Sequence, residues 1–158
     1  MIRPSEPRDT PALVELTART GFFKPLEVET LREVLDYYHE ANRARGHRCF
    51  SYERDGVLRG FVYHAPEDMT ERTWCLWWIA VAHDEQGRGL GGELLRFAEE
   101  DMRQLRGRVL FIETSGTKHY GPTRRFYLKH GYEQEAVLRD YYSDGDDLVM
   151  FRKRLTTP

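Results

Sequence analysis

Residues 79–92, with the sequence IAVAHDEQGRGLGG, join a short apolar run to a polar turn and a cluster of glycines. The apolar run begins at Leu76 and is rich in aromatic and β-branched residues, which is typical of a buried strand. Beyond the glycines, apolar residues recur at helical spacing with charged residues between them; they are Leu90, Leu94, Phe97, Ala98 and Met102. The stretch therefore predicts a strand, a turn and an amphipathic helix.

The glycines of this stretch suit a bound anion. Without Cβ atoms, an anion can come close to several backbone N–H groups. The first turn of the following helix adds unpaired N–H donors and a partial positive charge, and Arg88 adds a full charge. The stretch therefore predicts a site for a phosphate or a diphosphate.

A dinucleotide-binding domain is one interpretation of the glycines. Gly87, Gly89 and Gly92 satisfy G-x-G-x-x-G, and Glu113 lies about where the ribose-binding acid would be. However, residues 83–86 separate the strand from the first glycine, and too few residues follow Glu113 for further βαβ units. This is the less favoured alternative. The chain has no Gly-Lys-Ser/Thr, which excludes a P-loop.

Residues 81–95 resemble the cofactor loop of the GCN5-related N-acetyltransferase (GNAT) superfamily. The family pattern Gln/Arg-x-x-Gly-x-Gly/Ala is met by residues 86–91, QGRGLG. The resemblance implies acetyl-CoA as co-substrate, with loop amides on its diphosphate and strand amides near its thioester carbonyl. The cofactor-binding residues that it implies are Ile79, Ala80, Val81, Gln86, Gly87, Arg88, Gly89, Leu90, Gly91 and Gly92.

Residues 126–132, FYLKHGY, resemble a second motif of the same family, aromatic-Tyr-x-x-x-Gly-Phe/Tyr. In many members the tyrosine at the position of Tyr127 donates a proton to the departing thiolate. A phenol with a pKa near 10 is protonated at neutral pH and can do this. From the residues alone, Phe126 and Tyr127 are also consistent with core aromatics of a short helix.

Acyl transfer to an amine requires the amine to lose a proton, usually to a carboxylate. Many members carry this acid on the strand before the glycines, but residues 74–81 contain none. Glu113 matches the position of the base in the ribosomal-protein acetyltransferases of the family, and His119 is a second candidate. An asparagine common in the family before the tyrosine helix is also missing, since the chain contains only Asn42.

The composition indicates one globular domain, residues 1–158, with 40% hydrophobic and 32% charged residues. The formal charge of −2 and the lack of a long basic run argue against a nucleic-acid partner. No apolar stretch approaches the ~20 residues of a membrane span, and no signal peptide is recognisable. Cys49 and Cys75 have no CxxC spacing, which favours reduced thiols and a cytoplasmic location; no metal site is expected.

Periodicity and turn residues predict eleven elements in the order β-α-α-β-β-β-α-β-α-β-β. Strands are expected at 1–4, 49–53, 58–63, 73–82, 108–114, 132–142 and 148–154, and helices near 10–20, 27–45, 90–106 and 123–130. This is an α/β (α+β) layout on a mixed, mostly antiparallel sheet of about seven strands. It is also the GNAT order, which implies that the strands flanking the glycine helix are parallel and splay around the pantetheine arm.

The favoured function is an N-acetyltransferase that moves the acetyl group of acetyl-CoA to a primary amine by direct attack in a ternary complex. Tyr127 is the expected acid and Glu113 the expected base. The acceptor is expected to be a small-molecule or peptidic amine, and a homodimer is one option because dimers are common in the family. The alternative is a non-catalytic acyl-CoA-binding or sensor module, in keeping with the missing strand carboxylate and the missing asparagine.

Overall fold

A computed structural model describes residues 1–157 of the chain. Its strands are β1 (Ile2–Pro4), β2 (Arg48–Arg54), β3 (Val57–Pro66), β4 (Thr73–Val81), β5 (Val109–Ser115), β6 (Glu133–Ser143) and β7 (Asp146–Arg154). Its α-helices are α1 (Thr10–Arg19), α2 (Pro25–Glu40), α3 (Leu90–Gln104) and α4 (Gly121–Lys129). The predicted order of strands and helices is confirmed, with short 3-10 turns added between them.

The seven strands form one sheet in the order β1-β2-β3-β4-β5-β7-β6. The sheet is mostly antiparallel, and β4 and β5 form its parallel pair, as predicted. Their register runs from Thr73 opposite Val109 to Leu76 opposite Ile112, whereas β4 continues to Val81 and β5 to Ser115. The splaying of the two strands stays a prediction.

The described residues fall into two compact units. The first contains residues 1–65 and 78–100, and the second contains residues 66–77 and the chain from residue 101 onward. Strand β4 contributes residues to both units. The prediction of a single domain stays a prediction.

The first unit is built around an apolar core beneath α1 and α2. Leu13, Leu31, Leu35 and Phe61 are fully buried in it. The hairpin of β2 and β3 turns at Asp55 and Gly56, whose φ angles of 52° and 75° are both positive, as a tight two-residue hairpin turn requires. The predicted turn is therefore confirmed.

Helix α2 differs from its predicted bounds at both ends. It begins at Pro25 because Lys24 is extended and the proline occupies the first turn, where its missing N–H costs nothing. It ends at Glu40, and residues 42–45 form a 3-10 turn before Gly46, which has a φ of 94°. No helix within residues 1–157 combines the length and the apolar character needed to cross a membrane.

Candidate active site

The glycine loop, residues 86–92, follows β4 through a 3-10 turn at His83–Glu85. Gln86 is extended, with a φ of −67° and a ψ of 146°. Its side-chain amide nitrogen Nε2 donates a hydrogen bond of 3.2 Å to the carbonyl oxygen of Val81. This contact folds the loop back on the end of the strand, so the Gln86 side chain supports the shape of the loop.

Two glycines set the path of the loop into α3. Gly87 and Gly89 have φ angles of 76° and 86°, in the left-handed region that favours glycine. The N–H of Glu93 donates to the carbonyl of Gly89 over 3.0 Å, which is the first hydrogen bond of the helix. The amides of Leu90, Gly91 and Gly92 come before it and have no acceptor within the helix. They therefore point a set of donors and a partial positive charge at the loop, which suits an anion.

Of the other predicted cofactor residues, Arg88 and Leu90 belong to this loop and residues 79–81 end the strand before it, all in the first unit. Ala80 and Leu90 are buried at 5% and 4% exposure, Ile79 and Val81 are half-buried, and Arg88 is exposed. The exposed guanidinium is free to turn toward an anion. The role of the strand amides stays a prediction.

Tyr127 lies on α4 in the second unit, and the residues of its motif explain its position. Gly131, with a φ of 86°, ends the helix, and the N–H of Tyr132 returns to the carbonyl of Tyr127 over 3.1 Å. The Tyr127 ring packs against Tyr132 and Phe151, with ring centroids 5.7 and 5.6 Å apart. The aromatic-Tyr-x-x-x-Gly-Tyr pattern is therefore a helix-ending device that fixes the tyrosine ring.

Burial sets the protonation state of Tyr127. Its side chain is 4% exposed, and desolvation raises the pKa of its phenol above the ordinary value of 10.0. The phenol therefore keeps its proton throughout the neutral range. A group in this state can donate a proton but is a poor base.

Glu113 lies on the opposite face of the sheet from the Tyr127 ring. Tyr127 packs on Phe151, and Phe151 pairs with Ile112 of β5. Glu113 is the next residue of β5 and pairs with Met150, so its side chain points to the other face. Glu113 is exposed there. The predicted acid and base thus belong to the same unit but to different faces of its sheet.

Cys75 of β4 lies on the same face of the sheet as Glu113. Its register partner on β5 is Phe111, two residues before Glu113, and side chains two residues apart on a strand point to the same face. The Cys75 thiol donates a hydrogen bond of 3.3 Å to Oε2 of Glu67. Burial, this hydrogen bond and the charges of Glu67 and Glu113 raise the pKa of the thiol from 9.0 to about 12. Cys75 is therefore held as a neutral thiol.

The loop between β5 and α4 is held by side chains other than the missing asparagine. Nη1 of Arg124 donates to the carbonyl oxygens of Ser115 and Thr117, each over 2.7 Å. The Ser115 hydroxyl donates to Oδ1 of Asp146 over 2.5 Å and accepts a hydrogen bond of 3.1 Å from the Thr117 N–H. These contacts tie the end of β5 to the start of β7 and to α4. The N–H of Tyr120 also donates to the carbonyl of Thr117, over 3.2 Å.

Sequence reasoning missed three residues near these positions: Glu67, Glu85 and Arg124. Each contacts a partner that strand pairing or a loop brings close. Glu85, for example, is only 6% exposed and accepts a hydrogen bond from Arg54, thirty-one positions away in the sequence. The signal available was weak: an acid directly before the glycines, and an arginine in the first turn of a short helix. Across residues 1–157, no three His, Cys, Asp or Glu side chains group as ligands for a metal ion.

Comparison with known proteins gives a consistent picture. The sequence model described as the acetyltransferase (GNAT) family matches residues 12–132. A solved structure from Desulfovibrio desulfuricans, provisionally described as an acetyltransferase of the GNAT family, has a TM-score of 0.94 and 37% sequence identity, covering 99% of each chain.

Two relatives from Bacillus subtilis are named for N-acetyltransferase reactions. One, provisionally named [ribosomal protein bS18]-alanine N-acetyltransferase, is 27% identical over 119 residues, which are 73% of this chain and 74% of that protein. The other, named S-alkylcysteine N-acetyltransferase, is 30% identical over 115 residues, which are 69% of this chain and 62% of that protein.

Proposed function

Since the chain belongs to the GNAT family of acetyltransferases, we propose that it moves the acetyl group of acetyl-CoA to a primary amine by direct attack. The family match makes it an acyl-CoA-dependent N-acetyltransferase. The proposal adds the class of acceptor, the order of events and the residues that act. It also treats residues 1–158 as one N-acetyltransferase domain.

The observation that carries the proposal is the geometry of the glycine loop. Gly87 and Gly89 adopt positive φ angles immediately before a 15-residue helix whose first amides lack helical acceptors. We assign this loop to the diphosphate of acetyl-CoA, with Arg88 adding charge. The amides of Ile79, Ala80 and Val81 are assigned to the thioester end, where a donor to the carbonyl oxygen would stabilise developing negative charge.

Tyr127 and Glu113 are assigned to the two proton transfers. The amine nitrogen forms a bond to the acetyl carbon while the carbon–sulfur bond breaks; the amine's proton goes to the Glu113 carboxylate, and the sulfur receives the Tyr127 proton. The buried, protonated phenol supports the role of acid, and the exposed carboxylate supports the role of base. The nitrogen and the sulfur are bonded to one carbon in the tetrahedral intermediate, so Glu113, on the other face of the sheet, is assigned to take the amine's proton through water.

The state of Cys75 supports direct attack over an acyl-enzyme route. A thiolate is the nucleophilic form of cysteine, and a pKa of about 12 leaves almost no Cys75 thiolate at neutral pH.

Both cysteines of the chain are free thiols, which supports the proposed cytoplasmic location. A homodimer stays a prediction.

The relatives suggest which acceptors to test first. One is provisionally named for alanine of ribosomal protein bS18 and the other is named for S-alkylcysteine, so a peptidic amine and a small amino acid are both represented. The panel is therefore a peptide beginning with alanine, an S-alkylcysteine and a simple alkylamine. Each is mixed with acetyl-CoA, and release of the CoA thiol is followed by its reaction with a chromogenic disulfide.

Three proteins are compared with the wild type in this assay: Tyr127→Phe, Glu113→Gln and the control Glu133→Gln, which changes another exposed strand acid of the second unit. We expect turnover with at least one amine, a loss in the first two variants and none in the control. Calorimetric binding of acetyl-CoA without turnover on any amine would favour the non-catalytic module. Thermal stabilisation by NAD and not by CoA would favour the dinucleotide-binding domain.

A further inference from the structure

Glu85 lies directly before the glycine loop and is almost completely buried. Its side chain is about 7% exposed, and its Oε1 atom lies 2.8 Å from Nη1 of Arg54 and 4.0 Å from Nε of Arg59. Both arginines belong to the β2–β3 hairpin, on either side of its turn. A buried carboxylate is retained in a protein only when cations and hydrogen bonds compensate its lost hydration. Here the compensation comes from a distant hairpin.

Arg59 holds the same stretch in two further ways. Its carbonyl accepts a hydrogen bond of 2.8 Å from the N–H of Ala82, at the end of β4. Its Nη1 lies 3.2 Å from Oδ2 of Asp84, whose side chain is 70% exposed. The residues immediately before the glycine loop are therefore fastened to one hairpin by backbone and side chain together.

The glycines themselves contribute little to holding the loop. A Cβ atom placed on Gly87 or Gly89 would meet nothing within 4 Å, so no packed neighbour confines them. The position of the loop therefore depends on what flanks it. Leu90 and Leu94, buried at 4% and 0%, fix the helix that follows, and Glu85 fixes the turn that precedes.

The effect on ligand binding of removing the Glu85 charge distinguishes two roles for this residue. Acting directly on a bound diphosphate, a nearby carboxylate would repel it, and removing the charge would tighten binding. If Glu85 instead acts through the position of the loop, removing its charge would leave the loop amides misplaced and would weaken binding. The two roles predict opposite changes.

We propose that Glu85, held by Arg54 and Arg59, is a positioning residue that sets the glycine loop for the diphosphate of acetyl-CoA. The inference rests on the proposed function of the loop. It identifies a residue outside the loop on which the affinity of the loop for the diphosphate depends. It also predicts a defect confined to ligands that carry the diphosphate.

The test compares Glu85→Gln with Asp55→Asn, which removes the same charge from the exposed turn of the same hairpin. Calorimetry measures CoA binding, and steady-state kinetics compare acetyl-CoA with S-acetyl-pantetheine, which lacks the diphosphate and the nucleotide. In Glu85→Gln we expect the Kd of CoA and the KM of acetyl-CoA to rise about tenfold, equivalent to about 1.4 kcal/mol. The kcat/KM for S-acetyl-pantetheine should stay near the wild-type value, and Asp55→Asn should resemble the wild type.

An equal fall for both acetyl donors would show a general structural defect and overturn the inference, as would unchanged or tighter CoA binding. A wild-type protein that ignores CoA would instead overturn the proposed function. Because removing one partner of a buried ion pair can unfold a protein, Arg54→Gln provides a second route. Arg54 is 47% exposed, and its loss should produce the same preference for the short donor; a variant that treats both donors alike would contradict the inference.

Discussion

Gly60 of β3 lies directly against the backbone of Ala80 in β4. A Cβ atom at Gly60 would come within 2.9 Å of the Ala80 carbonyl oxygen and within 3.0 Å of Cδ1 of Leu94. The first of these atoms belongs to a strand backbone and has little room to move. The close approach of β3 to β4 and to the helix after the glycine loop therefore depends on the absence of a side chain at this residue.

We expect Gly60→Ala to destabilise the protein by about 1–3 kcal/mol, the usual cost of forcing an extra carbon into a packed region. Because the displaced backbone leads into the glycine loop, the KM for acetyl-CoA should rise as well. Urea denaturation and steady-state kinetics measure the two effects. Gly116→Ala is the control, since its Cβ would be no closer than 3.4 Å to any neighbour; equal stability of the two variants would contradict the prediction.

Tyr127→Phe should lower kcat by about 10²–10⁴, the usual contribution of a positioned acid, and should leave the KM for acetyl-CoA nearly unchanged. The ring and its contacts with Tyr132 and Phe151 are retained, so folding should not suffer. The control is Tyr132→Phe, the same change in the adjacent buried ring, which should keep most of the activity. A kcat in Tyr127→Phe equal to that of the control would remove Tyr127 from the mechanism.

The pH profile gives an independent check on Tyr127. Burial raises the pKa of this phenol above 10.0, so the acid form persists as the pH rises to 10. The ratio of wild-type to Tyr127→Phe kcat should therefore be constant up to pH 10 and should decline only above it. A decline of the ratio near neutral pH would show that a different group donates the proton.

Local sequence patterns predicted the elements that carry the glycine loop and Tyr127, because neighbouring residues determine where these elements begin and end. The glycines fix the turn into α3, and Gly131 with Tyr132 fixes the end of α4. The bounds of α2 were less accurate, since Lys24 and Pro25 begin the helix earlier than its apolar periodicity indicates. The roles of Glu113 and Tyr127 remain predictions from the family resemblance.

Contacts between distant residues could not be predicted in the same way. Glu85 meets Arg54 because the β2–β3 hairpin lies beside the end of β4, and Cys75 meets Glu67 because the loop before β4 folds back on that strand. Hydrophobic periodicity indicates which face of an element is buried, but it does not indicate which strand lies next to that element. The same limitation applies to Arg124, whose acceptors are the last residue of β5 and Thr117 in the loop that follows.

Cys49 should make the stability of the protein fall at high pH. Its thiol is fully buried, and burial raises its pKa from 9.0 to about 12. Below pH 9 the folded and unfolded states both keep the proton, so the full stability is present. Between pH 9 and 12 the unfolded state loses the proton first, and the free energy of unfolding should fall by up to about 1.4 kcal/mol per pH unit from this group.

The measurement is urea denaturation from pH 8 upward, comparing the wild type with Cys49→Ala. The variant has a lower stability throughout, because a buried side chain is shortened, but its curve should be flatter above pH 9. Parallel curves for the two proteins would show that Cys49 ionises equally in both states.

Cys75 should not become acetylated during turnover. Its pKa of about 12 and its hydrogen bond to Glu67 keep it as a thiol, so it should not attack the thioester. After incubation with acetyl-CoA and no amine, peptide mass spectrometry should find Cys75 unmodified, and initial-rate plots with both substrates varied should intersect. An acetylated Cys75 that transfers its acetyl group to an added amine would establish the acyl-enzyme route instead.

Arg124 should contribute to stability through the two carbonyls that it joins. Its Nη1 atom donates to the carbonyls of Ser115 and Thr117, each over 2.7 Å, and truncation removes this donor from both, although the Thr117 carbonyl keeps the N–H of Tyr120. We expect Arg124→Gln to lower the free energy of unfolding by about 1.5–3 kcal/mol, the usual contribution of a hydrogen bond from a charged group. The control is Arg125→Gln at the next, exposed residue, for which a change within about 0.5 kcal/mol is expected. Because the bridged loop leads from Glu113 to the helix of Tyr127, kcat should fall in Arg124→Gln even at temperatures where the variant is fully folded; an intact kcat would limit Arg124 to a structural role.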